Sequence, residues 1–405
     1  MQRIKTLTPE AGRIDSTGLR ACAPGRLVRY AVDPAQPWWR RTACAQALTG
    51  RVPETRFGEL FACVRDTGDS GTVRKALLEL LADRMELLPW LREDERREEQ
   101  AYGMPEAVLR ARAGLGDLTA AAGLAALAFS PWRDRRKTGE AGLDVLMERH
   151  GAAAVLGQLS GDGPADRAAR VLVRHAGGED VLEALADPDP GVAHLAQSLA
   201  ADPDRLLAFL AGSPTPDAAL WAAYALHGLT GDAGRTRAVY EELGRPRVEV
   251  PGLDEELRRA IVHEYAPECE KQSDPRWRLE GLCTEPPEPV DEERQLALAT
   301  AALTAAGLAP RAPLSCGQAN RQGGGTYHVI GYGEGGRSEV LISTLGRFAG
   351  DHDDDDPAAR AALEAAGFRW IDADTGSIGV SGLGVYYFGA REPLDVQTLL
   401  FYWQD

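Results

Sequence analysis

Lysine, aromatic residues and long hydrophobic runs are scarce in this sequence. Only 4 of its 45 basic residues are lysine, and aromatic residues make up 6% of the 405 positions. The longest nearly apolar run, residues 118–129, is too short to cross a bilayer and is typical of a buried helix. Residues 1–20 contain no apolar stretch of the kind that a signal peptide needs. We therefore expect a cytoplasmic protein without a membrane partner, and the arginine bias indicates a GC-rich bacterial source.

Closely spaced cysteine pairs are absent as well. The six cysteines lie at positions 22, 44, 63, 269, 283 and 316. Without a C-x-x-C motif they are expected to be reduced, structural thiols. A zinc site built from Cys269, Cys283, Cys316 and His263 is disfavoured, because structural zinc uses closely spaced ligand pairs. The glycine-rich segment 376–384 lacks the Gly-Lys-Ser/Thr ending of a phosphate-binding loop and favours a flexible hairpin or bulged strand. We expect neither metal nor cofactor.

Basic residues are fewer than acidic ones, with 45 against 61, and the net charge is −16. Because phosphate binding needs a basic surface, this balance argues against a nucleic-acid clamp that uses the whole chain. Residues 291–405 contain 16 acids and 8 bases and so carry −8 of that charge. The acidic excess is therefore concentrated towards the C-terminus, and a local basic groove elsewhere stays open as an alternative.

A repeated helical pattern occupies the first 250 residues. The segment DPDPGVAHLAQSLA places apolar residues at Val192, Ala196 and Leu199, which form one stripe of a helix. Comparable stripes lie 27 residues earlier and 26 residues later, each after a break of Gly, Pro or Asp that suits a helix start. Second helices are expected at residues 180–186, 203–211 and 235–243. One such hairpin cannot bury its apolar side alone, so stacked copies are expected to share a core.

These segments resemble HEAT-like repeats of the short bacterial type. The match is best at DPDPGVAHLAQSLA, because the family favours D-x-x-P-x-V followed by a small residue four positions on. It covers roughly residues 36–245 and is specific only around 160–230, since the earlier copies are degenerate. The resemblance implies an α-solenoid, an extended stack of helix pairs whose surface normally holds a partner.

The last 115 residues change to a mixed helix and strand pattern. Helices are predicted at residues 291–308 and from Pro357 to Gly367, with Asp356 as the N-cap of the second. Strands are predicted at residues 326–333, 338–348, 368–372, 385–390 and 396–403. The first two and the last two of these strands are expected to form antiparallel hairpins.

The chain is therefore predicted to be mainly α, with a HEAT-like α-solenoid followed by a small C-terminal α+β domain. We place the helical repeat domain at residues 1–250 and a linker and packing segment at residues 251–290. An acidic α+β domain follows at residues 291–405, and it resembles no family that we recognise.

Two clusters are candidate partner-binding sites. A basic cluster with an aromatic residue is expected at the start of a solenoid helix, with Trp132, Arg133, Arg135 and Arg136 as its members. Cation–π and phosphate contacts are the chemistry that such a cluster offers. An acidic run precedes the helix at Pro357, with Asp353, Asp354 and Asp355 as its centre. Adjacent carboxylates cannot all converge on one ion, so this run is interpreted as a solvated loop near a helix N-terminus rather than a calcium or magnesium site.

The function that these features favour is a cytoplasmic bacterial scaffold or adaptor that binds a protein. An immunity or antitoxin-like binder of a basic protein is one concrete version, because complementary charge speeds association with a cationic partner. The alternative is a HEAT-like nucleic-acid-binding protein or DNA glycosylase that uses the local basic groove. A third hypothesis gives the C-terminal domain a small-molecule pocket lined by Tyr327, His328, Asp372 and Asp374. No nucleophile–base pair indicates an enzyme.

Overall fold

The computed structural model describes residues 2–93, 99, 101–267, 274–333, 337–351, 356–388 and 393–404. The chain divides into two compact units, unit 1 (Met1–Val181) and unit 2 (Leu182–Asp405). Most of the described chain is helical, and its strands all follow residue 313. Within the described residues, no helix combines the length and the apolar character needed to cross a membrane. The prediction of a mainly α chain with a small C-terminal α+β region is confirmed.

Unit 1 consists of short helices. They are α1 (Gln2–Leu7), α2 (Ser16–Arg20), α3 (Pro24–Ala31), α4 (Trp38–Ala47), α5 (Phe57–Arg65), α6 (Gly71–Leu81), α7 (Leu88–Leu91), α8 (Met104–Gly114), α9 (Ala121–Ala128), α10 (Arg133–His150), α11 (Ala152–Leu156) and α12 (Pro164–Ala176). Among the described residues of this unit, 3-10 turns lie at Glu54–Arg56, Met85–Leu87 and Leu118–Ala120. Helix α4 packs against α6, α6 against α8, and α8 against α10, so that alternate helices form a continuous row.

A buried arginine links neighbouring layers of unit 1 at two equivalent places. The Arg41 Nε donates to a backbone carbonyl ten residues earlier at 2.8 Å, and the Arg74 Nε does the same at 2.9 Å. The carbonyl and carboxylate partners are Ala31 and Asp69 for Arg41, and Val64 and Glu99 for Arg74. The two arginines are 33 residues apart, which is compatible with a helical repeat in the part of the chain where the apolar consensus is degenerate.

Unit 2 begins with helices and ends with a sheet. Its helices are α13 (Pro190–Leu199), α14 (Pro203–Ala211), α15 (Pro216–Thr230), α16 (Gly234–Glu242), α17 (Glu255–Tyr265), α18 (Arg276–Cys283), α19 (Glu292–Ala305), α20 (Cys316–Ala319), α21 (Pro357–Ala365), α22 (Ala373–Gly376) and α23 (Val396–Leu400), after a 3-10 turn at Leu182–Ala186. The helix starts predicted at Pro190 and Pro216 are confirmed. Asp189 and Thr215 cap them with side-chain oxygens that accept backbone N–H bonds, and proline occupies the first turn.

In the part of unit 2 that the structure describes, the strands form one five-stranded sheet and two small pairs. They are β1 (Leu314–Ser315), β2 (Gly324–Gly325), β3 (Tyr327–Tyr332), β4 (Ser338–Ser343), β5 (Phe348–Gly350), β6 (Arg369–Trp370), β7 (Gly379–Val380), β8 (Leu394–Asp395) and β9 (Trp403–Gln404). The large sheet has the order β1-β3-β4-β5-β6, while β2 pairs with β9 and β7 with β8. The predicted hairpin of β3 and β4 is confirmed, with Tyr332 opposite Ser338. Strands β5 and β6 are parallel neighbours.

The large sheet separates two hydrophobic clusters. Because successive side chains of a strand point to opposite faces, Val340 and Ile342 of β4 lie in one cluster and Leu341 in the other. The first cluster contains side chains of α19 and α21, including Leu303 and Leu363. The second contains side chains of α17, α18 and α23. Helices therefore cover both faces of this sheet.

The predicted final hairpin is wrong. Residues 396–400 form helix α23, and strand β9 covers only Trp403–Gln404 and pairs with β2. The apolar run at 396–401 is too short for periodicity to separate helix from strand. Asp395 decides the outcome, because its carboxylate accepts the backbone N–H of Thr398 and starts a helix.

The segment interpreted as a linker contains two helices, α17 and α18. Their buried side chains, including Ile261 and Trp277, belong to the same cluster as side chains of the sheet such as Leu341. The domain limits at residues 250 and 290 remain predictions.

Candidate protein-binding surface

The two compact units differ sharply in charge. Unit 1 contains 27 basic and 25 acidic residues and carries +2, whereas unit 2 contains 18 basic and 36 acidic residues and carries −18. The negative charge of the chain therefore belongs to unit 2, which includes helices α13, α14, α15 and α16 as well as the sheet. A surface of this kind attracts basic molecules and repels nucleic acid.

An acidic cavity of about 520 Å³ lies at one edge of the large sheet in unit 2. Asp351 follows β5 and Asp372 follows β6, and because these strands are parallel neighbours their carboxyl ends meet at the same edge. Asp395 joins them from the end of β8. Arg360 adds one positive charge, so the lining contains three aspartates and one arginine.

Local hydrogen bonds hold two of these aspartates in place. Asp372 accepts the backbone N–H of Thr375 at 2.9 Å, and Asp395 accepts that of Thr398 at 2.8 Å, so each caps a short helix. The bonds from the backbone and side chain of Thr375 hold the pKa of Asp372 below its usual value. Asp372 is therefore ionised at neutral pH.

Helices α22 and α23, which contribute Gly376 and Gln397 to the lining of the acidic cavity, are packed closely together. Gln397 of α23 donates from Nε2 to the backbone carbonyl of Asp351 at 2.9 Å, which fixes α23 to the end of β5. A Cβ atom on Gly376 would lie 3.2 Å from the Cβ of Gln397, so α22 and α23 approach too closely for a larger residue to fit without movement. Carboxylates fixed in this way are acceptors for ammonium or guanidinium groups.

The predicted basic cluster is largely engaged within unit 1. Trp132 occupies the N-cap position of α10, and Arg133 is exposed. The Arg135 Nε lies 2.7 Å from a carboxylate oxygen of Glu106. The Arg136 Nη1 donates to the carbonyl groups of the two residues that precede Trp132, at 3.1 and 2.8 Å. These intramolecular partners leave Arg135 and Arg136 with fewer donors for a ligand.

The predicted acidic run falls mostly outside the described residues, which exclude Asp353, Asp354 and Asp355. Its last member, Asp356, caps α21 as expected by accepting backbone N–H bonds from Ala358 and Ala359. The Tyr332 hydroxyl also donates to Asp356, at 3.1 Å. The described part of this segment is therefore a helix cap.

The residues of the small-molecule hypothesis are not brought together. Asp372 lines the acidic cavity, and Asp374 lies on α22 next to it. Tyr327 is buried in a hydrophobic cluster, and the His328 Nε2 lies 2.9 Å from a carboxylate oxygen of Glu292. The structure thus separates Tyr327 and His328, which lie on β3, from Asp372 and Asp374, which lie at the start of α22.

The candidate zinc ligands that the structure describes are not grouped to hold a metal ion. His263 Nε2 lies 3.1 Å from the Thr284 hydroxyl, and burial raises the pKa of the Cys283 thiol to about 12. Cys269 lies outside the described residues. In the part of the chain that the structure describes, no three His, Cys, Asp or Glu side chains are grouped to hold a metal ion.

The acidic cavity is not evident from the sequence, where residue type alone singles out Asp372. Its three aspartates lie at positions 351, 372 and 395, and only the parallel pairing of β5 and β6 brings the first two together. The sequence feature that could identify two of these aspartates is the Asp-x-x-Thr spacing. It occurs at residues 372–375 and 395–398, and each occurrence marks the start of a helix.

Comparison with known proteins finds no counterpart: no family model, no curated protein and no solved structure matches the chain.

Proposed function

We propose that this chain is a protein-binding scaffold that holds a basic protein on unit 2. The observation that carries the proposal is the division of charge, with −18 on unit 2 and +2 on unit 1. Complementary charge steers a cationic partner to such a surface and raises its association rate. The acidic cavity supplies fixed carboxylates for individual cationic side chains.

The finer version of the proposal is an immunity or antitoxin-like protein of the bacterial cytoplasm. The helical layers of each unit would belong to HEAT-like repeats, which supply a large surface for a macromolecular partner. A basic effector whose own target is anionic would be neutralised when its cationic surface is covered by unit 2. This version is supported by the acidity of unit 2 and by the packed rows of helices.

Affinity enrichment from a bacterial lysate, at ionic strengths of about 50 and 300 mM, tests the proposal, because exposed charge pairs are screened over this range. Two charge variants provide the comparison. The unit 2 variant changes Glu242, Glu285, Glu288 and Glu293 to glutamine, and the unit 1 variant changes Glu86, Asp134, Glu148 and Asp162 to the corresponding amides. All eight side chains are exposed.

We expect the unmodified chain to recover proteins of high isoelectric point, and we expect recovery to fall at the higher salt. The unit 2 variant is expected to recover less of them, while the unit 1 variant recovers as much as the unmodified chain. Recovery of no protein, or equal losses in both variants, contradicts the proposal.

Nucleic-acid binding by unit 1 is the second candidate, favoured by its net charge of +2 and the exposed Arg133 at the start of α10. The engagement of Arg135 and Arg136 with protein groups argues against it. We expect no gel shift of duplex or single-stranded DNA at micromolar protein and low salt. A shift that is lost in an Arg133→Gln variant would favour this candidate over the scaffold.

A further inference from the structure

A small pocket of about 140 Å³ lies in unit 2, where helices α15 and α18 meet the loop before α13. Its apolar lining consists of three prolines, two leucines and one tryptophan, namely Pro188, Pro190, Leu220, Trp221, Pro246 and Leu279. Pockets that hold a whole small molecule measure roughly 300–1,000 Å³. This pocket, which we call the Trp221 pocket, therefore has room for one side chain rather than for a whole small molecule.

The Trp221 pocket has an apolar interior and acidic groups at its opening. Leu220, Trp221 and Leu279 are at most 4% exposed, so they form the interior. Asp217 in the first turn of α15 is exposed, and Asp187 in the loop before α13 is half-buried. Both aspartates line the pocket. An apolar centre within a polar rim is the usual anatomy of a protein–protein interface.

One arginine also lines the Trp221 pocket, but its charge is already paired. The Arg276 Nε lies 3.1 and 3.2 Å from the two carboxylate oxygens of Asp274, and its Nη2 lies 2.8 Å from one of them. With Asp187 and Asp217, the opening thus has three aspartates and one arginine, a formal charge of −2. This excess favours a cationic residue of a partner and disfavours an acidic one.

The walls of the Trp221 pocket are held in place by local structure. The proline rings fix φ at Pro188 and Pro190, and the Asp187 carboxylate accepts the backbone N–H of Asp189 at 2.8 Å. Asp189 in turn caps α13, which packs against α15, the helix that carries Trp221. Because these walls are already ordered, little conformational entropy is lost when a side chain enters the pocket.

We propose that the Trp221 pocket receives one aliphatic side chain of the basic partner, and that a neighbouring lysine or arginine of the partner pairs with the carboxylates at the opening. The aliphatic side chain is removed from water against Trp221 and the prolines, which supplies most of the affinity. The cationic residue gives selectivity, because an acidic residue at the same place is repelled. This inference rests on the proposed function and names the feature of the partner that unit 2 recognises.

Fluorine NMR of the full chain labelled with 5-fluorotryptophan tests the inference, because it observes Trp221 directly. Trp221→Phe and Trp38→Phe variants assign two of the resonances. Trp38 is 54% exposed and belongs to unit 1, so it reports on non-specific binding. The probe is a peptide with the sequence Lys-Leu-Lys between Gly-Ser units. We expect it to shift the Trp221 resonance in a saturable manner and to leave the Trp38 resonance unchanged.

Three matched peptides separate the contribution of the aliphatic side chain from that of the charge. Serine in place of leucine should weaken binding at least about tenfold, because the burial of the leucine side chain is lost. Glutamine in place of both lysines should weaken binding about two- to fivefold, the range for an exposed charge pair. Glutamate in place of both lysines should weaken it further, because like charges repel each other.

Charge variants at two equivalent helix positions locate the cationic contact. Asp217 and Asp204 are both exposed acids that follow a proline in the first turn of a helix, but Asp204 does not line the pocket. Asp217→Asn should weaken binding of the Lys-Leu-Lys peptide about two- to fivefold, and Asp217→Lys should weaken it further. Asp204→Asn and Asp204→Lys should bind as the unmodified chain does. Circular dichroism checks that each variant is folded.

The titration needs no partner protein, so its outcome is independent of the lysate enrichment. The assignment of the Trp221 pocket is overturned if the Trp221 resonance does not shift, if the serine peptide binds as tightly as the leucine peptide, or if Asp204→Lys weakens binding as much as Asp217→Lys. The scaffold proposal is then decided by the lysate result alone. Peptide binding in the pocket by a chain that recovers no protein from lysate supports the preference of the pocket and contradicts the scaffold proposal.

Discussion

Replacing Gly139 with alanine is expected to destabilise unit 1 by about 3 kcal/mol, because added atoms in a tightly packed contact force the backbone apart. A Cβ atom at this position would lie 2.3 Å from the Ala128 nitrogen and 2.5 Å from the Leu124 oxygen. Both are backbone atoms of the adjoining helix α9, so no side-chain rotation relieves the overlap. Helix α10 can approach α9 this closely only because it carries glycine at the crossing.

Gly114→Ala is the matched control for Gly139→Ala. Gly114 ends helix α8, and apart from its chain neighbours and the adjoining turn of its own helix backbone, no atom of the described residues lies within 4 Å of the position that its Cβ would take. Alanine there should leave the stability unchanged or raise it by up to about 1 kcal/mol, because glycine costs backbone entropy in a helix. Urea unfolding followed by circular dichroism measures both variants. Equal midpoints for the two would refute the close crossing of α9 and α10.

Replacing Arg258 with methionine is expected to destabilise unit 2 by about 3–5 kcal/mol, the usual effect of leaving a buried charge without its partner. Arg258 lies 2.5 and 2.6 Å from the two carboxylate oxygens of Glu280, and the side chains are 3% and 5% exposed. The guanidinium also donates to the Val248 carbonyl at 2.8 Å and lies 4.6 Å above the Trp277 ring. Its loss leaves Glu280 buried among apolar side chains.

A second change tests this explanation directly. Adding Glu280→Leu to Arg258→Met should recover most of the lost stability, since the uncompensated charge is then gone. Arg247→Met removes the more exposed pair with Glu255 and should cost less than about 1 kcal/mol. If the double variant is as unstable as Arg258→Met, or if Arg247→Met lowers the free energy of unfolding as much as Arg258→Met does, the instability of Arg258→Met does not come from the unpaired charge of Glu280.

Helix starts in the helical part of the chain are predictable because their signals are local. Asp189, Pro190, Thr215 and Pro216 fix two of them within a few residues, whatever the rest of the chain does. The hairpin of β3 and β4 is similarly local. Helix α23 is mispredicted as a strand because its apolar run fits either structure, and only the cap at Asp395 distinguishes them.

The buried arginine contacts and the candidate site depend on long-range pairing. Arg41 and Asp69 are 28 residues apart, and their meeting depends on how two helical layers stack. The acidic cavity likewise requires β5 and β6 to lie side by side, although the pattern of each strand alone says nothing about its neighbour. Composition predicts that the acidic excess lies in the C-terminal region. The structure shows that the acidic part of the chain begins at the boundary between the two units, and the residue pattern does not reveal where this boundary lies.

Carbodiimide cross-linking of the recovered complex tests the central claim most directly, because the reagent activates a carboxylate that a lysine amine then attacks to form an amide, with release of a urea, only where the two side chains are in contact. Peptide mapping by mass spectrometry then locates each linked carboxylate in the chain. We predict that cross-links to the partner fall within residues 182–405, including the region of Asp372 and Asp395. Cross-links confined to residues 1–181 would contradict it.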